Sequence, residues 1–454
     1  MNLPLPPPPP LTAGQAERDA IGSRLAQANA GTAARYPGET PRRQPAHTVY
    51  GGAHVFRSDI TAKLGALAMR SLTEYAPSSD VLKSVLGLPD SLAPLISRRI
   101  VEKLGREPVE DYRIDFEDGY GNRPDAEEDG HAISAAREVA TGIASRSLPS
   151  SIGIRIKPLT EELRERSFRT LDLFVTSVIR DAGRLPDNFV VTLPKVTTRD
   201  QVAALAEILA VLEKGLSLTP RSLELEIMVE TPQSIVGPSG EISLGGLVAA
   251  GDGRCIAAHF GTYDYTASLN ITAAHQHMLH PACDFARHAM QVALAGTGVW
   301  ISDGATNVLP VPPNRGEDRT LTGREISENR AAVHAAWKLH YDHVRHSLAN
   351  AFYQGWDLHP AQLPTRYAAL YAFFLEGLDA ASARLTNFVE KAGQATLVGE
   401  VFDDAATGQG LLNYFLRAAA CGAITEDEAI QKSGLTIEEL RGRSFVAILK
   451  NRRH

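Results

Sequence analysis

Residues 111–121 read DYRIDFEDGYG. Apolar and polar positions alternate as in a β-strand, and the run then ends in Asp115, Glu117 and Asp118 followed by Gly119 and Gly121. A strand that reads as buried has no packing reason to finish in three acids. Seven further β-rich runs share its length: 47–54, 152–158, 188–196, 223–231, 256–264, 298–306 and 355–360. Several are rich in Val, Ile and aromatic residues, as buried parallel strands are.

The stretches between them carry helix-start chemistry. Thr198 with Gln201 forms a capping-box pattern, Thr231-Pro232 places proline at a first helical position, and residues 328–350 read as one long helix. Eight strands alternating with helices predict a (β/α)8 TIM barrel over residues 46–365, with a doubly wound sheet as the runner-up. Residues 1–45 form a Pro-rich N-terminal arm whose five consecutive prolines favour an extended polyproline segment. After residue 365 the pattern becomes purely helical, with capping boxes at Thr425/Glu428 and Thr436/Glu439, so residues 366–454 are expected to be a helical appendage.

Composition narrows the function. The formal net charge of −7 over 454 residues argues against general binding to nucleic acid or anionic membrane. Cys255, Cys283 and Cys421 are far apart, which speaks against a disulfide framework or zinc-thiolate site and suits a reducing compartment. With no secretory pattern and no apolar run long enough to span a bilayer, a cytoplasmic location is expected.

In a (β/α)8 barrel the active site lies at the C-terminal strand ends. The strands deliver charge there: Asp115, Glu117 and Asp118 from the second, Arg155 and Lys157 from the third, Lys195 from the fourth. Glu230, Asp264, Asp303 and His359 follow from the fifth to the eighth. A lone acid at a strand end is usually a helix cap or a solvated loop residue. Glu230 and Asp264 end successive strands, about 4.8 Å apart in such a sheet. One oxygen from each can therefore reach a hard cation at the ~2.1 Å typical of Mg²⁺. Glu117 and Asp118 suit the ion's waters, and the glycines allow a tight turn beside them.

A series of motifs in order over 111–363 resembles the HpcH/HpaI aldolase and citrate lyase β-subunit superfamily. They are IDFEDGYG, IRIKP, VTLPKVTTRDQV, IMVETPQSI, FGTYDYTASL, ISDGA and GWDLHPAQL. The resemblance implies a Mg²⁺ (or Mn²⁺)-dependent carbon–carbon lyase or aldolase, acting on a small hydroxy-acid or hydroxyacyl substrate, and a homo-oligomer. It implies Glu230 and Asp264 as metal ligands, Arg155 as the arginine that steadies the reacting oxyanion, and Glu117 and Asp118 as the acidic pair beside the metal's waters. Members that use acyl-CoA usually begin with an R-S-x-L-F-V-P-G-like strand. Here that region reads YGGAHVFRSDITAKLG, so a CoA thioester is the less expected substrate.

Two readings compete with the lyase: a malate-synthase-like condensing enzyme, and a non-catalytic barrel that binds an acidic metabolite. Intact Arg155, Glu230 and Asp264 favour an enzyme. Lys195 reads as charge neutralisation beside the acids and as a substrate contact, and His359 as an acid/base or substrate contact or a rim hydrogen bond. The insertion LPVPPNRGEDR (309–319) reads as an exposed connector or as a lid whose Arg315 or Arg319 closes on the substrate's distal acid. The histidines of HQHMLH (275–280) read as a polar loop or helix face rather than a zinc site, since no H-E-x-x-H or cysteine partner is present. His340, His343 and His346, three apart on a helix, read as a solvated face.

Overall fold

All eight strand candidates are strands, each shorter than its sequence run. The computed structural model describes residues 12–316, 319–390, 396–398, 401–403, 405–442 and 444–452. The strands are β1 (Thr48–Gly52), β2 (Asp111–Asp115), β3 (Ser151–Arg155), β4 (Phe189–Leu193), β5 (Glu224–Val229), β6 (Cys255–Phe260), β7 (Trp300–Ala305) and β8 (Gln354–Asp357). They pair in parallel in chain order, and β8 returns to β1 to close the barrel. The doubly wound alternative is thereby excluded.

Side chains on the outer face of the strands meet the apolar stripes of the helices that follow them. Phe174, Val175 and Val178 of helix Arg164–Ala182 and Leu205 and Leu209 of helix Arg199–Gly215 are fully buried in this layer. The barrel interior, in contrast, holds a polar layer. Arg113 of β2 makes two 2.8 Å hydrogen bonds to Glu226 of β5, and His259 of β6 lies 3.0 Å from the same carboxylate. The Arg113–Glu226 charges are paired through two hydrogen bonds, as burial requires.

The expected helix starts are present. Thr198 with Gln201 and Thr425 with Glu428 form reciprocal capping boxes, and Pro232 stands at the first position of its helix. Thr436 and Glu439 exchange the same pair of bonds.

The five prolines, and with them the expected polyproline segment, lie outside the described residues; the rest of the arm contains a helix, Gln15–Arg35, with no buried residue. Three expectations need correction. The region after 365 is not purely helical, because Thr396–Val398 and Val401–Asp403 pair as an antiparallel hairpin. The three helix histidines are not a solvated face. His340 bonds Asp357 (2.9 Å), His343 bonds Thr306 (2.9 Å) and His346 bonds Asp284 (2.9 Å), the first two while buried. Asp303, read as a rim acid, is buried against the helix layer, where Arg287 (2.9 Å) and Ser347 (2.6 Å) hold it.

Asp357, the last residue of β8, receives His47 (2.6 Å), His340 (2.9 Å) and Arg366 (2.9 Å). This buried carboxylate ties the barrel to helices Gly323–Ala349 and Leu363–Glu390. No helix among the described residues is long and apolar enough to cross a membrane.

Candidate active site

The rim is built outward from Asp115. Its two carboxylate oxygens accept the N–H groups of Glu117 (3.0 Å) and Gly119 (2.7 Å). A Cβ on Gly119 would meet the Asp115 carboxylate at 2.6 Å, so only glycine lets the loop fold back so closely. The same carboxylate clamps Arg155, its register partner on β3, through Nε (2.7 Å) and a terminal nitrogen (2.6 Å). The other terminal nitrogen faces Glu117 (3.1 Å) and Asp118 (3.8 Å). The guanidinium lies over the ring of Tyr50 (4.9 Å) and near that of Trp356 (5.9 Å). Burial disfavours this charge, but Asp115 and Glu117 outweigh it and hold Arg155 well above its ordinary pKa. The fork is therefore charged and fixed in orientation.

Lys195, just beyond β4, has a φ of +50°, the left-handed region that residues with a Cβ seldom occupy. Its backbone N–H donates to Glu230 Oε1 (2.6 Å). Its ammonium pairs with Glu117, lies 3.3 Å from Asp118 and lies 3.6 Å from Asp264.

The acids differ in environment. Glu230 is buried, and burial together with neighbouring Asp264 pushes it up to about 8 against the pull of Lys195 and Arg155. Glu117 is also raised, chiefly by burial. Asp118 is lowered: its partial desolvation is outweighed by the Glu117 hydrogen bond and by Arg155 and Lys195. The structure thus brings Arg155, Glu117, Asp118, Lys195, Glu230 and Asp264 together at one rim. Beside them opens a cavity of about 300 Å³ whose lining includes Glu117, Asp118, Asn122, Lys157 and Lys195.

The other candidates have different surroundings. His359 caps a short turn, where its Nδ1 accepts the Ala361 N–H (3.2 Å). It lines a separate 370 Å³ cavity with Tyr75, Pro310 and Pro312. Arg319 is paired with Glu325 (2.5 Å) at the start of helix Gly323–Ala349, and Arg315 is exposed. Asn314 and Asn329 exchange two hydrogen bonds (2.8 and 2.9 Å), which fasten this segment to the helix. The sequence reading missed the clamp role of Asp115 and the Tyr50–Trp356 pair, whose rings are 4.4 Å apart. For the first, the sequence offered only an acid and an arginine at the ends of successive strand runs, Asp115 and Arg155.

A divalent ion can be tested against these residues. Among the described residues no group of three or more His, Cys, Asp and Glu converges as a ligand set. Glu230 and Asp264 do supply two hard oxygen donors whose mutual repulsion raises Glu230. Gly261 keeps the space around Glu230 open, since a Cβ there would meet its Oε2 at 2.5 Å. Two carboxylates fit an ion such as Mg²⁺ that keeps several waters or substrate oxygens.

A family model described as a domain of unknown function, DUF6986, matches residues 25–448. The chain belongs to this family. No curated protein matches this DUF6986 member. Among solved structures it is similar to a citrate lyase from Burkholderia xenovorans LB400. That likeness has a TM-score of 0.56 and 17% identity over 87% of this chain and 98% of that one. It is also similar to a malate synthase from Haloferax volcanii in a lead(II) complex, with a TM-score of 0.44 and 15% identity over 88% and 98%. The citrate lyase likeness shows a shared barrel fold. The family that matches is DUF6986.

Proposed function

We propose that this protein is a divalent-cation-dependent carbon–carbon lyase that cleaves a small hydroxy-acid substrate through an enolate. The observation that carries the reading is the rim itself: Glu230 just beyond β5 and Asp264 in the helix that follows β6, beside an arginine at the end of β3 locked by Asp115. Glu230 and Asp264 are the residues that would hold Mg²⁺ or Mn²⁺. When bound, such an ion supplies Lewis-acid stabilisation of negative charge on substrate oxygens.

The chain's own groups account for the rest. Cleavage next to a hydroxyl leaves an enolate, and its charge must be met where it develops. Arg155 has two of its five N–H groups on Asp115 and its other terminal nitrogen 3.1 Å from Glu117, so its remaining donors would meet that oxyanion from a fixed position. Glu117 and Asp118 have their pKa values pushed in opposite directions. Both face Arg155 and Lys195 and would hold the ion's waters. Lys195 supplies a cation for a substrate carboxylate. We further propose a cytoplasmic homo-oligomer without nucleic-acid or membrane partners.

The test is a screen of purified protein with Mg²⁺ against 2-oxo-4-hydroxy acids and β-hydroxyacyl-CoA esters, read as released pyruvate or glyoxylate. Product release that depends on Arg155 and on the ion supports the lyase. The same rim would serve bond formation, and acetyl-CoA with glyoxylate in the same screen reads that direction. Binding of acids without turnover in either direction would replace the enzyme reading with that of a binding protein.

A further inference from the structure

Lys195 is tied to the acidic rim by both its main chain and its side chain. Its amide reaches Glu230 at 2.6 Å from a backbone at φ +50°, a conformation that costs a residue with a Cβ and persists only where its surroundings impose it. Its ammonium touches acids from two different elements: Glu117 and Asp118 beyond β2, and Asp264 in helix Thr262–Ser268 beyond β6. The side chain is 31% exposed, so the ammonium has room to leave without breaking the core. It lies 3.6 Å from the Asp264 carboxylate, beside one of the two donors read as ion ligands. Two cations a few ångströms apart in a partly buried site repel strongly, so this ammonium and a divalent ion compete for the same negative charge.

We propose that Lys195 is a tethered counter-ion that holds the rim acids together when no divalent ion is bound and is displaced from Asp264 when one binds. The freed ammonium is then available to a substrate carboxylate, so ion binding precedes productive substrate binding. This rests on the reading of Glu230 and Asp264 as ion ligands.

The experiment is calorimetric titration with MnCl₂, at constant ionic strength, of the full-length protein and of Lys195→Met and Lys195→Arg. Methionine keeps the main-chain donor and the approximate length but removes the charge. The Met variant should bind Mn²⁺ about tenfold more tightly or better, and the Arg variant within about threefold of the parent. Thermal melts give a second readout. The ion-free Met variant should melt below the parent and gain more from saturating Mn²⁺. Lys195→Gln replaces the Met variant if the latter does not fold. Parental binding together with unchanged or weaker binding by the uncharged variant would overturn the counter-ion role alone. Absence of Mn²⁺ binding by the parent would remove the ion site and this inference with it.

Discussion

Gly261→Ala probes the ion site without changing any charge. Gly261 has φ −105°, which alanine adopts freely, so the backbone tolerates the change. Space does not. The new Cβ would meet the Cβ and Oε2 of Glu230, each at 2.5 Å, roughly 1 Å short of ordinary van der Waals contact. Glu230 is buried and held by the Lys195 amide at 2.6 Å, so moving it by that amount breaks a hydrogen bond to a carboxylate. Overpacking costs about 1–3 kcal/mol and the broken bond about 1–3 kcal/mol, while the stiffer unfolded chain returns about 0.4–1 kcal/mol. A net loss of roughly 2–4 kcal/mol is expected in urea unfolding, with an unchanged m-value. Calorimetry should show Mn²⁺ affinity reduced by about tenfold or more. A variant with parental stability and parental Mn²⁺ affinity would refute the placement of Glu230 as a fixed ligand.

Three further outcomes are expected. Glu230→Ala should abolish Mn²⁺ binding in calorimetry or weaken it by about 100-fold. Arg155→Lys should lower turnover of the screened substrate by about 10²–10³-fold with Mn²⁺ affinity within about threefold, because a point charge cannot reproduce the fork. His343 is lowered to about 4, first by burial and then by His340, against an ordinary 6.5. Between those values the unfolded chain binds more protons, so stability is complete above pH 6.5 and falls as the pH drops toward 4. The loss from pH 7 to pH 5 should be about 2 kcal/mol, and His343→Gln should remove it when urea midpoints are compared.

Much of the barrel was legible because several strands announce themselves through β-branched runs, and some of the following helices through caps that satisfy orphan N–H groups, as Thr198 does. The rim acids were legible for a related reason: a carboxylate at a strand end such as Glu230 has no packing role there. Asp303 shows where this reasoning stops. It lies two residues before the end of β7, and strand alternation turns it outward to Arg287. The helix histidines failed on partners. A spacing of three marks one face but cannot say that Asp357 and Thr306 wait behind it to make burial acceptable. Helix Gln15–Arg35 was unreadable for the opposite reason, since it buries nothing and so carries no apolar stripe. The clamp of Asp115 on Arg155 depends on strand register, which only the folded sheet determines.

The most direct test of the proposed chemistry is crystallographic. Crystals of the protein soaked in MnCl₂, measured at a wavelength where manganese scatters anomalously, should show one strong peak within coordination distance of the Glu230 and Asp264 carboxylates. Crystals of Glu230→Ala treated identically should lack it. A peak held by other residues, or none at this rim in well-ordered parental crystals, would contradict a divalent-ion mechanism here.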